Sequence, residues 1–178
     1  MVQESPIYNR ILVPIDGSTT AMCGLDHAIA LASAGHARLR VLNVIDDSLL
    51  VLAAYAHPRG DIHEVEDSLW ASSSKLIERA VARAGSHGIE AEPAQLRAGL
   101  RAVSDVILQD ARAWNADLIV MGTHGRRGIK RFVLGSDAAR VVSQAPVPVL
   151  LIRAASSGAR PRKPRKTAPR KQAPKRAR

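Results

Sequence analysis

The stretch from Asp117 to Arg153 constrains the fold of this chain more than any other part of the sequence. It begins with a continuous apolar run, residues 118–121, which is too short for a helix and is typical of a strand buried on both faces. A glycine-rich segment follows, then a run of small residues with helical character, residues 137–145, and a second apolar run, residues 147–152. A strand, a loop, a helix and a second strand in this order predict a parallel crossover and hence an α/β protein.

The loop after the first of these strands has the residues that an anion-binding loop needs. Gly122, Gly125 and Gly128 bring backbone close to a ligand without a Cβ, and successive N–H groups can then form an anion-binding concavity. Ser136 suits the N-cap of the helix that follows, and a helix N-terminus adds unpaired donors and a positive dipole end. The pattern therefore favours a phosphate ligand. The alternative is a connecting turn whose arginines, residues 126–127, point into water.

The spacing of the small residues indicates a particular family. The strings G-x-x-x-x-G-K-[ST] and G-x-G-x-x-G do not occur in the sequence. Gly122-x2-Gly125-x9-Gly135-Ser136 resembles the nucleotide-binding signature of the universal stress protein family, and the resemblance extends over about residues 8 to 153. It implies a doubly wound, five-stranded, mostly parallel sheet of the adenine nucleotide α-hydrolase-like type, with strand order 3-2-1-4-5.

Predicted strands and helices alternate along the rest of the chain, as a doubly wound sheet requires. The predicted strands are residues 11–15, 39–45, 89–97, 118–121 and 147–152, and the predicted helices run from Ser18 to Gly35, from Glu64 to Ala84, from Gly99 to Trp114 and from Asp137 to Ala145. Ser18 is the predicted N-cap of the first helix, and Gly35 is predicted to end it. Pro93 favours an edge position for the third strand. Residues 48–63 fit either a short helix or a flap.

Asp16 follows the first strand directly. A carboxylate at the carboxyl end of a buried strand can accept a hydrogen bond from a ribose hydroxyl, although Asp-Gly-Ser also suits a simple turn. The resemblance implies that Asp16 contacts the nucleoside and that Val44 supplies main-chain contacts to adenine. From the residues alone Val44 is a strand residue. Asp46 and Asp47 are interpreted as a solvated strand end.

The resemblance implies an ATP site, with Mg²⁺ or Mn²⁺ accompanying the phosphates. Adenine is expected near Ile15 and Val44, ribose near Asp16, and the phosphates on the glycine loop and the helix start. The predicted cofactor-binding residues are Pro14, Ile15, Asp16, Val44, Met121, Gly122, His124, Gly125, Arg126, Gly135 and Ser136. His124 either touches phosphate or points into water. The six histidines show no metal-ligand spacing, so a protein-built metal site is not expected.

The charge of the chain is concentrated at its C-terminus. The formal net charge is +10, and residues 154–178 contain ten Lys or Arg and no acidic residue. The remaining 16 basic residues balance the 16 acidic ones. The segment also has four prolines and no large apolar residue, so we expect a domain at residues 1–153 and a disordered basic tail. Such a tail is predicted to bind polyanions, with DNA favoured and anionic membrane or polyphosphate obeying similar physics.

The remaining features limit the class of protein. Cys23 is the single cysteine and is expected to be a buried or half-buried apolar residue. No apolar run approaches 18 residues and no signal core is evident, so we expect a soluble, cytoplasmic protein without a transmembrane segment. Residues 147–152 are apolar at odd and even positions alike, so both faces of the strand are apolar. They form the edge strand in the resembled fold, which predicts a homodimer through this segment.

Three functions fit these observations. The first is an ATP-binding universal stress protein, favoured as a nucleotide-dependent regulator because no general base aimed at a γ-phosphate is evident. Whether ATP is hydrolysed stays open. The second is a nucleic-acid-associated protein that works through its tail. The third is an adenylate-forming or nucleotide-transfer enzyme, which would need a second catalytic constellation that we do not find.

Overall fold

A computed structural model describes residues 8–56, 62–125 and 134–153 of the chain. The elements in order are β1 (Arg10–Pro14), α1 (Thr19–Gly35), β2 (Arg38–Ile45), α2 (Ser48–Ala56), α3 (His63–Gly85), β3 (Ala91–Arg97), α4 (Val103–Ala113), β4 (Leu118–Gly122), α5 (Ser136–Gln144) and β5 (Val149–Ile152). The predicted alternation is confirmed, and residues 48–56 form a helix of their own. In the part of the chain that is described, no helix is long and apolar enough to cross a membrane.

The five strands form one parallel sheet in the order β3-β2-β1-β4-β5. This confirms the predicted fold class and strand order. β1 lies in the middle, where Ile11 pairs with Leu39 of β2 on one side and with Leu118 of β4 on the other. Pro93 lies in β3, at the predicted edge of the sheet.

Helices cover both faces of this sheet, which explains the continuous apolar runs. Alternate strand residues contribute to two core clusters. Val13 and Val120 pack with α1 and α3 on one face, whereas Leu12 and Ile119 pack with α4 and α5 on the other. The second cluster includes Trp114, only 5% exposed, which confirms its predicted place in the core. Because each central strand is covered twice, it has no polar face to alternate with.

The ends of α1 follow the predicted rules in part. The Ser18 hydroxyl accepts a hydrogen bond from the Ala21 N–H at 3.2 Å, which confirms the N-cap. The prediction that the helix ends at Gly35 is confirmed, although the left-handed capping conformation falls on the next residue. Gly35 is the last helical residue, and His36 adopts the left-handed conformation with φ 54°. The N–H of His36 bonds to the Ala32 carbonyl, which satisfies a terminal acceptor of the helix.

Candidate functional site

The candidate site lies at the carboxyl edge of the sheet, between the ends of β1 and β4. The chain leaves β1 for α1 on one face, and it leaves β4 toward α5 on the opposite face. This change of face between neighbouring strands is a topological switch point, where open α/β sheets form their binding crevices. The crevice here is a cavity of about 550 Å³, within the range of small-molecule sites.

The fold brings almost all of the predicted site residues into this cavity. Its lining includes Pro14, Ile15, Asp16, Val44, Met121, Gly122, His124, Gly125, Gly135 and Ser136. Arg126 lies outside the described residues. Residues separated by more than a hundred positions in the sequence therefore share one surface, because β1 and β4 are neighbours.

The β1 side of the cavity has a fixed backbone. The Ile15 N–H donates to the Leu42 carbonyl at 2.8 Å, which extends the β1–β2 pairing past the end of the strand. One carboxylate oxygen of Asp16 accepts from the Ser18 N–H at 3.0 Å, and Gly17 between them has φ +83°. The positive φ explains the glycine, since other residues rarely adopt it. Asp16 is thus held at the entry to α1.

Gly122 is required for packing between β4 and α1. A Cβ placed on Gly122 would lie 2.8 Å from the backbone N of Ala21 and 2.8 Å from the carbonyl carbon of Thr20. Backbone atoms at that distance cannot move aside as a flexible side chain can. The prediction assigned this glycine to a close approach of phosphate, but the structure shows that α1 occupies the space.

Gly125 is the glycine that approaches a predicted ligand-binding group. A Cβ on Gly125 would lie 2.6 Å from a carboxylate oxygen of Asp16. The loop is held in this position by two hydroxyls of the α1 start, because Ser18 at 3.4 Å and Thr20 both donate to the His124 carbonyl. The glycine loop and the β1–α1 turn therefore form one unit around Asp16.

The start of α5 completes the anionic end of the cavity. The prediction that Ser136 is the N-cap was wrong by one residue, since Ser136 is the first helical residue and Gly135 is the N-cap. Glycine has no side chain to cap the helix, so the N-cap residue makes no side-chain hydrogen bond to the first turn. The Gly135 N–H donates to the Thr123 carbonyl at 3.0 Å, which fixes the helix start against the end of β4. The uncapped N-terminus faces the cavity.

His124 lies in the cavity wall with one ring nitrogen engaged. Its Nδ1 lies 3.0 Å from the Thr123 hydroxyl, whereas its Nε2 is buried and has no hydrogen-bond partner among the described residues. Of the two alternatives for this side chain, pointing into water does not hold for the buried Nε2. The alternative, contact with phosphate, stays a prediction, and it would give this nitrogen a partner.

The sequence analysis missed a buried polar link between β2 and α3. Asn43 and Ser73 are 4% and 5% exposed, and both line the cavity. The Ser73 hydroxyl donates to the Asn43 side-chain oxygen at 2.6 Å, and the Asn43 amide donates to the Ile15 carbonyl at 2.6 Å. The link therefore holds the backbone just before Asp16. The sequence indicates this link only by a serine at position 73, which shares the apolar side of α3 with Leu69 and Leu76.

Replacing Ser73 with alanine should destabilise the protein. Ser73→Ala leaves the buried Asn43 oxygen without its donor, which costs about 2 kcal/mol of unfolding free energy. Ser72 on the same helix is exposed and makes the matched control, because Ser72→Ala removes a hydroxyl without burying an unpaired group. Urea unfolding of both variants checks this. Equal midpoints for the two variants would contradict the role of the link.

Asp47 is not the solvated residue that the sequence analysis expected. It is 2% exposed, its carboxylate accepts from the Arg97 side chain at 2.6 Å, and it accepts from the Gly99 N–H at 2.7 Å. Hydrogen bonding to Glu66, and then to Asp47, raises the pKa of Arg97 above its ordinary value. Asp47 therefore joins the end of β2 to the end of β3.

Within residues 8–56, 62–125 and 134–153, no group of three or more potential metal ligands comes together.

Comparison with known proteins gives a consistent result. The sequence profile of the universal stress protein family matches residues 7–153. Universal stress protein MJ0531 of Methanocaldococcus jannaschii is 32% identical over 148 residues, which cover 83% of each chain. A crystal structure from this family in Burkholderia pseudomallei is 33% identical with a TM-score of 0.65, covering 83% of this chain and 97% of that one. A universal stress protein from Archaeoglobus fulgidus in complex with dAMP is 26% identical with a TM-score of 0.58, covering 82% and 98%.

Proposed function

The chain belongs to the universal stress protein family, and we propose that it is a regulatory protein that binds ATP in the cavity at the carboxyl edge of the sheet. One observation carries the proposal. Asp16, the Gly122–Gly125 loop and the uncapped start of α5 line the same cavity, although they come from three parts of the chain. A relative of known structure was solved with dAMP, which supports an adenine nucleotide as the ligand.

The lining of the cavity includes the kinds of group that a nucleotide requires. Apolar side chains of β2 and α3, among them Val44, Leu69 and Leu76, line the cavity and suit a base. Asp16 lies beside the glycine loop, since a Cβ on Gly125 would lie 2.6 Å from its carboxylate, and it can accept a hydrogen bond from a ribose hydroxyl. The N–H groups at the start of α5 suit the phosphates, because a helix N-terminus carries the positive end of the helix dipole. We assign Mg²⁺ or Mn²⁺ to the phosphates themselves, because these ions bind through phosphate oxygens and water.

A regulatory role is favoured over rapid hydrolysis because the cavity carboxylates have structural hydrogen bonds. Asp16 accepts from the Ser18 N–H, Asp46 accepts from the Ser48 hydroxyl at 2.8 Å, and Asp137 accepts from the Ser104 N–H at 3.3 Å. A general base must instead be positioned on the attacking water. These three carboxylates are engaged in turns and in the contact between α4 and α5. We therefore propose binding as the activity of the site.

Isothermal titration of ATP with Mg²⁺ tests the proposal and its independence from the tail. We expect the full chain and a chain truncated after Arg153 to bind with similar affinity, because the described lining of the cavity lies before residue 154. GTP is the matched control ligand, and we expect it to bind more weakly. Binding that disappears on truncation, or that is equal for both nucleotides, would argue against an adenine site in this cavity.

We also propose a homodimer through the edge strand β5. β5 has β4 on one side, and Leu150 is 38% exposed. Val149 and Leu151 pack against the second core cluster, so lysine at those positions would disturb the core as well as the edge. Leu150→Lys is the sharper variant, because it places a charge at an exposed position of the edge.

Light scattering of wild type and Leu150→Lys measures the assembly. We expect a dimer mass for wild type at tens of micromolar and a monomer mass for the variant. Leu100→Lys is the matched control and should remain dimeric. Leu100 is 63% exposed and follows β3, the strand at the opposite edge of the sheet. A monomeric wild type would refute the proposal.

The association of residues 154–178 with nucleic acid stays a prediction, since the tail lies outside the described residues.

A further inference from the structure

Asp137 lies at the point where two helices begin beside the cavity. It is in the first turn of α5, and its carboxylate accepts a hydrogen bond from the Ser104 N–H, in the first turn of α4, at 3.3 Å. The N-cap residue of α4, Ala102, makes no side-chain hydrogen bond to its own helix. The Asp137 carboxylate therefore caps α4 from the neighbouring helix.

A second contact joins the two helix starts. A guanidinium nitrogen of Arg140, in α5, lies 3.6 Å from the carboxylate of Asp105, in the first turn of α4. Asp105 is not among the described residues that line the cavity, whereas Asp137 and its neighbours Val103 and Ser136 line it. The contacts between α4 and α5 therefore fix one carboxylate in the cavity wall and leave the other outside it.

The described lining of the cavity carries more acidic than basic side chains. It contains three carboxylates, Asp16, Asp46 and Asp137, and its described residues include no Lys or Arg. Asp16 and Asp46 follow β1 and β2, whereas Asp137 lies at the start of α5, to which the phosphates are assigned. Asp137 is therefore the carboxylate that a bound phosphate chain would meet.

The charge of Asp137 offsets the attraction of the helix starts for phosphate. A helix N-terminus carries about half an elementary positive charge, so the starts of α4 and α5 together supply roughly one positive charge. The Asp137 carboxylate supplies one negative charge at the same place. The N–H groups of α5 can still donate to phosphate oxygens, but these elements add no net positive charge. A phosphate chain therefore gains from a cation of its own.

We propose that Asp137 is a specificity-determining residue that makes the cavity prefer ATP in complex with a divalent cation over free ATP. This inference rests on the proposed nucleotide site. Mg²⁺ on the phosphate oxygens lowers the negative charge that faces Asp137, whereas free ATP presents its full charge. Asp137 acts through its charge and bonds neither to the metal nor to the nucleotide. The protein would then respond to the metal complex of ATP rather than to total ATP.

Isothermal titration of the full chain with ATP, in excess Mg²⁺ and in EDTA, tests the inference. We name the ratio of the two dissociation constants, EDTA over Mg²⁺, the metal factor. It should be at least about tenfold smaller in Asp137→Asn than in wild type, because loss of the carboxylate charge strengthens binding of free ATP most. The asparagine oxygen can still accept from the Ser104 N–H. The basic residues 126–127 and 130–131 lie outside the described residues and are common to both proteins.

Asp105→Asn is the control for this substitution. It removes the same charge from the first turn of the adjacent helix, outside the described lining of the cavity, and it should keep the wild-type metal factor. Equal metal factors in wild type and Asp137→Asn would overturn the inference. So would weaker binding of the Mg²⁺ complex by Asp137→Asn with unchanged binding of free ATP, since a direct metal ligand would give that result. Wild type that binds no ATP in either condition would contradict the proposed function and this inference with it.

Discussion

Gly122→Val should strongly destabilise the domain. The valine Cβ would lie 2.8 Å from two backbone atoms of the first turn of α1, at residues 20 and 21. Overpacking a core costs about 1–3 kcal/mol and sometimes more, and here the obstructing atoms belong to the helix backbone, which cannot move aside as a side chain can. We expect a loss of at least about 3 kcal/mol, a large part of the stability of a typical domain. Circular dichroism and urea unfolding measure it.

Gly24→Ala is the matched control on the other side of the same contact. A Cβ on Gly24 would lie 3.5 Å from the Gly122 N, which is an ordinary van der Waals distance. Gly24 is in the middle of α1, where alanine is favoured over glycine by about 1 kcal/mol. We expect this variant to be as stable as wild type or more so. A Gly122→Val protein that unfolds at the wild-type urea concentration would show that β4 and α1 do not approach as described.

Asp16→Asn should weaken ATP binding by about 30-fold, because a hydrogen bond to a charged acceptor contributes about 2 kcal/mol. The fold should survive, since the asparagine oxygen can still accept from the Ser18 N–H. Isothermal titration with ATP, 2′-deoxy-ATP and 3′-deoxy-ATP identifies the ribose hydroxyl that Asp16 binds. Wild type should lose affinity when the hydroxyl bound by Asp16 is removed, whereas Asp16→Asn should show no further loss.

Asp46→Asn controls for charge in this experiment. Asp46 also lines the cavity, at the end of the neighbouring strand β2, and it also bonds to the residue two positions later. Removing its charge should leave the preference for ribose unchanged. An Asp16→Asn protein that distinguishes the three nucleotides as wild type does would contradict the assignment of ribose to Asp16.

The fold could be predicted because its signals are local and repeated. Each central strand is a continuous apolar run, and each helix that follows has an apolar stripe. The strand order came from the family resemblance, since spacing in the sequence does not show that β1 and β4 are neighbours. That adjacency is what collects Asp16 and Gly125 at one cavity.

The parts that could not be predicted depend on contacts between distant elements. Gly122 is spaced as a phosphate-binding glycine, but its requirement comes from the backbone of α1. Asp47 looked like a solvated strand end, and it is buried because Arg97 of β3 pairs with it. Asn43 and Ser73 are unremarkable in the sequence until α3 packs over β2. Sequence patterns show which residues face the core and not which polar groups meet there.

Equilibrium unfolding with and without ATP and Mg²⁺ tests nucleotide binding most directly. A ligand that binds only the folded state should stabilise the protein by about 2.7 kcal/mol at roughly 100 times its dissociation constant. We expect that increase for wild type, and a smaller one for Asp16→Asn at the same ATP concentration. Wild type that unfolds at the same denaturant concentration with and without millimolar ATP and Mg²⁺ would contradict the account.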